Sequence, residues 1–244
     1  MPINVGGNII SSSSLTSDGN FTNSIVTSGL ICHLDASNKN SYIGNGTSWI
    51  DLSGNGNNGT LLNGVGFTTD SGGGLTLNGS NQYITIPQTG INFNTSTLIY
   101  VAKLDVSPNT RNTIFSQYYG GNGAQMEWGS DGSLRSNYRQ NTASTPENDA
   151  PNGGSQISTN TMYSIAVTYT AGRITHFKNA NNLGSSLNSS QTDINGGSLI
   201  TIGQNSSAGL YFKGNVYCVM IYNKVLSNIE IIRNHYSIKN RYGF

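Results

Sequence analysis

The first chemistry to look for is a pair of carboxylates two or four residues apart on a strand. Period-two alternation then puts both on one face, where one acid and one nucleophile or base can cleave a glycosidic bond. The chain has three glutamates, Glu127, Glu147 and Glu230. None lies in a Glu-x-Asp-x-x-Glu pattern or its one-residue variant. Glu127 and Asp131 come nearest, and Gly129 to Gly132 reads as a hairpin turn between them. His33, His176 and His235 are far apart, in a first strand, a hairpin strand and a terminal helix, and read as structural histidines. There is no G-x-S-x-G elbow and no H-E-x-x-H run. Gly72 to Gly74 and Gly120-Gly121 open no helix, so they are turns, not phosphate cradles. The chain therefore reads as no enzyme, with no catalytic residue.

A sugar site needs an aromatic platform beside planar amides or carboxylates. Tyr118, Tyr119, Tyr138 and Arg139 gather around Gln125 and Glu127 in neighbouring strand and turn segments. These six are the candidate carbohydrate contacts. Met126 and Trp128 alternate with Gln125 and Glu127, so the same stretch also reads as one inward and one outward face. Cys32 and Cys218 sit in apolar runs near the two ends, which leaves two readings, a pair of buried thiols or one bridge between the first and last strands. Two isolated cysteines lack the closely spaced ligand pairs of a zinc site, and no metal or cofactor is expected.

The elements that must position these residues are strands. Only 9% of residues are charged and the net charge is +1, which argues against a nucleic-acid partner and against an anionic membrane surface. No segment is a membrane span, and the MPINVGGNIISSSS opening has no basic region followed by an apolar one, so no secretory signal is expected. Short apolar runs alternate with Asn-Gly, Gly and Ser turns. Strands are predicted near 30–35, 59–63, 74–78, 82–87, 96–105, 112–117, 124–129, 133–139, 162–170, 173–178, 198–203 and 210–222. Asn141 to Ser158 has no apolar stretch and reads as one long loop. A helix follows, opened by the capping box Ser227-Asn228-Ile229-Glu230 and the staple Leu226–Ile231. Ile229, Ile232 and Tyr236 share one face of it. Residues 1–28 carry Ile3, Val5, Ile9, Ile10, Leu15, Phe21, Ile25 and Val26 but too little apolar surface for a core. They read as an extended arm that adds strands to a neighbour.

Four blocks carry a resemblance: GLICHLDASNKNSY with Asp35; WIDLSGNGNNGTLLNG with Trp49, Asp51, Gly54, Asn58 and Gly59; GGGLTLNGSNQYITIP; and MYSIAVTYTAGRITHFKN with LITIGQN and YFKGNVYCVMIYNKVLSNIEI. In this order they resemble the concanavalin A-like lectin/glucanase superfamily, and within it the laminin-G-like jelly rolls of phage and viral structural proteins. The resemblance implies an all-β jelly-roll sandwich of two antiparallel sheets over 29–244, after the arm 1–28 and with one short C-terminal helix. Relatives bind calcium through loop acids where this chain has Asn78 and Gln82, and Phe177-Lys178-Asn179-Ala180 replaces their hairpin turn. The family likeness implies a virion-surface protein, a capsid decoration, cement or head-fibre subunit. Its arm would hold capsid or other virion proteins, as a homo-oligomer such as a trimer. The alternative is a tail-fibre adhesin for host glycans.

Overall fold

The computed structural model describes residues 3–5, 8–10, 24–87, 95–105, 111–119, 122–129, 132–139, 148–149, 156–170, 173–187, 199–205 and 209–244. In chain order the strands begin with β1 (Ile3–Val5), β2 (Asn8–Ile10), β3 (Leu30–Asp35), β4 (Ser48–Trp49), β5 (Gly59–Leu62), β6 (Gly66–Thr68) and β7 (Gly74–Asn78). Next come β8 (Tyr83–Pro87), β9 (Ser96–Leu104), β10 (Asn112–Tyr119), β11 (Asn122–Trp128), β12 (Leu134–Arg139) and β13 (Asn148–Asp149). The last are β14 (Met162–Thr170), β15 (Arg173–Lys178), β16 (Asn181–Leu187), β17 (Leu199–Ile202), β18 (Gln204–Asn205), β19 (Leu210–Tyr211) and β20 (Lys213–Tyr222), before helix α1 (Asn228–Tyr242).

The strands form two large antiparallel sheets, as expected for a lectin-like sandwich. One runs β16-β15-β14-β9-β20-β7-β6, with β3 also on β20; the other runs β13-β12-β11-β10-β17-β8-β5-β4. One edge of β20 takes β7 against Lys213–Val216 and β3 against Cys218–Tyr222, while the other edge takes β9. Between the sheets lies the main core. Leu34, Leu98, Tyr100, Val167, Val219 and Ile221 come from the first sheet, and Ile84, Phe115, Met126, Trp128 and Ile200 from the second. Trp128 crosses the gap, its indole N–H donating to the Tyr100 hydroxyl at 3.0 Å. His176 does the same in polar form, its ring nitrogen 2.8 Å from the Ser136 hydroxyl of the opposite sheet.

The first sheet is apolar on its other face too. Ile99, Val101, Ala166, Tyr217, Met220 and Tyr222 point away from the second sheet and pack with Ile231, Ile238 and Tyr242 of α1. A register shift between Val216 and Cys218 lets both Tyr217 and Cys218 face this second cluster, as a bulge re-aims a strand. Gly74 leaves room for the Tyr217 ring, which a Cβ there would approach to 2.7 Å. The predicted capping box is present, with Gly243 in the left-handed region closing the helix. The buried face differs from the expected one. Ile231, Asn234, His235, Ile238 and Tyr242 are buried and Ile229 and Tyr236 are half-buried, because the sheet beneath sets the rotation of the helix. The replaced turn keeps its hairpin geometry, with φ of 50° at Asn179 and 64° at Ala180, as a primed two-residue turn requires.

The N-terminal arm is placed differently from the expectation at two points. β1 and β2 are paired antiparallel with Ile3 opposite Ile10, so Ile3, Val5, Ile9 and Ile10 lie in a hairpin and not in one extended strand. Ile25 and Val26 belong to the second core cluster. The backbone N–H of Val26 donates to Asn234 Oδ1 at 2.8 Å, and its carbonyl accepts from the Tyr222 hydroxyl at 2.9 Å. Arg233 holds Ser24 through its carbonyl and hydroxyl. Residues 24–28 are thus strapped to the helix. Leu15 and Phe21, like most of Asn141 to Ser158, lie outside the described residues. Cys32 and Cys218 are both buried free thiols. They face opposite sides of one sheet, Cys32 in the main core and Cys218 in the second cluster, so no bridge joins them.

Asn234 also donates to Tyr222 at 3.0 Å, closing a ring of three buried hydrogen bonds. Asn234→Ala leaves the Val26 N–H buried without a partner, and a loss of about 2 kcal/mol is expected. It would be read as a lower urea midpoint with an unchanged slope. The buried histidines add a pH dependence. Burial lowers His176 from 6.5 to about 4, and burial with Lys239 does the same to His235. Both gain protons only on unfolding, so stability is full above pH 6.5 and falls as pH drops toward about 4. A flat unfolding free energy across that window would contradict this.

Candidate functional site

β11 alternates strictly. Ala124, Met126 and Trp128 enter the main core, which turns Gln125 and Glu127 to the outer face of the second sheet. From Gln125 a row of hydroxyls runs across the sheet through paired positions: Ser116, Thr201, Thr85, Thr60 and Ser48. Six strands at the usual inter-strand spacing make a polar strip about 24 Å long. Thr60 and Ser48 are exposed, Thr85 and Thr201 half-buried.

At the Gln125 end the strip becomes a buried polar network. Glu127 is fully buried, and Arg111, just before β10, brings its Nε to 2.7 Å from Glu127 Oε1. Gln125 Nε2 donates to the other carboxylate oxygen, and Gln125 Oε1 accepts from Asn205 Nδ2 at 2.9 Å. Arg135 stands opposite Glu127 in the register. Burial pushes the Glu127 carboxyl above its ordinary range, and Arg111, Gln125 and Arg135 pull it back. Asn205 comes from the β18–β19 hairpin. That hairpin is moored by the Thr201 hydroxyl, 2.7 Å from the Gln204 carbonyl, and by Gln204 Nε2 donating to the Tyr211 hydroxyl at 3.0 Å. An amide, a guanidinium and a tyrosine thus sit at the head of an open strip of hydroxyls.

Of the six residues read from sequence, the structure joins Gln125 and Glu127 but sinks both beneath the surface. They support Arg111 and Asn205 instead of facing solvent. In the register Tyr118 and Arg139 lie opposite Gly123, Tyr119 opposite Asn122 and Tyr138 opposite Ala124; their side chains are outside the described part, as is Asp131. Arg111 and Asn205 were missed. A glutamate on an otherwise hydroxyl-rich face needs a cation, and Arg111 is the nearby one that precedes a strand of that sheet.

Other motif residues have structural work. The Asp51 carboxylate accepts from the backbone N–H groups of His33, Ser53 and Asn57 at 2.8, 2.9 and 2.9 Å, pinning the Asn-Gly loop to β3. Asn78 Oδ1 accepts from the N–H groups of Ser80, Asn81 and Gln82, and Gln82 Oε1 accepts from Asn78 N–H at 2.9 Å. The neutral amides close their own loop.

The family model for the concanavalin A-like lectin/glucanases superfamily matches residues 78–232. No curated protein matches in sequence. Among solved structures the chain is similar to a sialidase of Trypanosoma rangeli in complex with sialic acid, at 17% identity and a TM-score of 0.69 over 92% of this chain and 35% of the sialidase. It is similar to domain 4 of an extracellular arabinanase from Geobacillus stearothermophilus in complex with arabinotriose, at 18% identity and a TM-score of 0.64, over 84% of this chain and 98% of that domain. It is also similar to the receptor-binding domain of the botulinum neurotoxin C/D mosaic serotype, at 15% identity and a TM-score of 0.68 over 86% of this chain and 51% of that one. The chain spans about a third of the sialidases' length. These structures correct the expectation that the chain is no enzyme: its neighbours include sialidases. At such identity the likeness is one of fold, shared with lectin domains that carry no catalysis.

The Glu127–Arg111 pair makes a stability prediction. Arg111→Gln strands a buried carboxylate, at a cost of about 2–3 kcal/mol given that Arg111 is partly exposed. Because the Glu127 carboxyl then titrates higher, the variant regains stability as pH falls toward the ordinary carboxylate range. Adding Glu127→Gln restores most of the loss at neutral pH. Urea unfolding of the two variants at several pH values checks it, and equal losses in both would refute the pairing.

Proposed function

The chain belongs to the concanavalin A-like lectin/glucanases superfamily, and from that membership we propose a lectin-like module displayed on a phage-type particle as a capsid decoration, cement or head-fibre subunit. The N-terminal arm, with its β1–β2 hairpin, attaches it to capsid proteins or to sister copies, and a trimer is the assembly proposed. A low-charge surface rich in Asn, Ser, Thr and Gly suits an exterior position with little nonspecific attraction. Among the described residues no helix is long and apolar enough to cross a membrane.

The binding surface proposed is the outer face of the second sheet. One observation carries it: a partly exposed guanidinium, a buried carboxylate and two buried amides, bonded in the chain Arg111–Glu127–Gln125–Asn205, stand at the end of a strip of hydroxyls. Planar amides and cations fixed beside a flat polar surface match the donors and acceptors of a glycan. Tyr211 borders the strip, and the sequence offers Tyr118, Tyr119, Tyr138 and Arg139 as further contacts. The arabinanase domain, similar over 98% of its own length and in complex with arabinotriose, supports a sugar as the ligand class. The likeness to a toxin's receptor-binding domain favours a second reading, a tail-fibre adhesin that grips host surface glycans.

Glycan-array binding is expected for the intact chain, reduced at least tenfold (about 1.4 kcal/mol) by Tyr211→Ala or by Thr85→Arg, which blocks the strip. A folded protein that binds nothing on a broad array would remove the glycan reading. Immunogold labelling of particles separates head from tail, and a chain lacking residues 1–23 should lose its place on the particle.

A further inference from the structure

Beneath the C-terminal end of α1, three residues from distant parts of the chain meet on the outer face of the first sheet. Cys218 stands opposite Asp35 in the β20–β3 register, and His33 lies two residues before Asp35, opposite Met220. All three side chains therefore point the same way, and the bulge at Val216/Cys218 fixes that direction for the thiol. Their ligating atoms lie within 4.8 Å of one another, with His33 Nε2 at 3.9 Å from Asp35 Oδ2. His33 is 7%, Asp35 0% and Cys218 1% exposed, and His33 Nε2 has no hydrogen-bond partner.

We propose that His33, Asp35 and Cys218 form a transition-metal site of the zinc class, with solvent in the fourth position. Imidazole, carboxylate and thiolate are the donor set of such ions, held at bonds of about 2.0–2.3 Å. The carboxylate is already oriented. Asp35 Oδ1 accepts from the Ser37 N–H at 3.0 Å, the Ser37 hydroxyl at 2.8 Å and the Tyr242 hydroxyl at 2.7 Å. That leaves Oδ2 facing His33, as an outer shell does for a metal ligand. In the structure Oδ2 is ion-paired to the Arg241 guanidinium, whose side chain is 37% exposed.

Charge balances in both states. With Arg241 inside, one guanidinium cation meets one carboxylate, and the thiol and imidazole are neutral. With a divalent ion inside, the ion meets the carboxylate and a thiolate; Arg241 moves to solvent and the Cys218 proton is released with it. Both arrangements are neutral, as a buried site demands.

The test is titration of the full chain with Co²⁺ after overnight dialysis, followed by absorption. One equivalent is expected, with a thiolate-to-cobalt charge-transfer band that Zn²⁺ abolishes. Cys218→Ser should remove the band, Cys32→Ser on the other face should keep it, and His33→Gln should weaken binding by at least about tenfold. Arg241→Gln, at the exposed competitor, should tighten binding several-fold and needs no change in the core. Absence of the band in the unmodified chain, its loss in Cys32→Ser, or weaker binding by Arg241→Gln would each overturn the proposal.

Discussion

Strand β20 gives Val216, Val219 and Ile221 to the core between the sheets and Tyr217, Met220 and Tyr222 to a second core on the reverse side. At this point neither face of the sheet meets water, so something other than a sheet must cover the second one. Helix α1 does so, and its position follows. The capping box starts it directly after β20, and Asn234 ties it to Tyr222 and to the Val26 backbone. Tyr242 reaches back to Asp35 and to the Tyr217 carbonyl, both at 2.7 Å. The second sheet, covered on one side only, is left with a polar outer face. The division between a sealed sheet and an open one therefore decides where a ligand surface can be.

Much of this was legible. Alternation in Ala124 to Trp128 and in Tyr83 to Pro87 announced strands with one wet face, and the structure keeps those strands within a residue or two. Ser227 and Glu230 announced the helix start because a cap is a local bond between near neighbours. Where the decisive partner is distant, sequence reading failed. The face α1 buries is chosen by Tyr217 and Tyr222, not by its own pattern, so Ile229 and Tyr236 were misassigned. Ile25 and Val26 read as arm because nothing local reveals that Asn234 and Arg233 will hold them.

The candidate site divides in the same way. Gln125 and Glu127 were found from their spacing, but their burial depends on Arg111 and Asn205, which arrive from a different strand end and a different hairpin. The acidic motif residues show the reverse. Asp35 and Asp51 look like chemistry in a list of residues, yet Asp51 spends both oxygens on backbone N–H groups of a Gly-rich loop. Such a carboxylate is a fastener for a turn.

The pairing of β3 with β20 has a further consequence. The Tyr222 hydroxyl and the Val26 carbonyl that it joins are 196 positions apart. During synthesis β3 emerges early and waits, with an open edge and the apolar Cys32 and Leu34 on one face, until β20 and α1 have been made. Contacts so distant form slowly, because the chain must be closed into a long loop before they stabilise anything. The nascent protein thus passes through an interval in which that strand edge is unprotected, and a chain stalled before β20 would expose it to other chains.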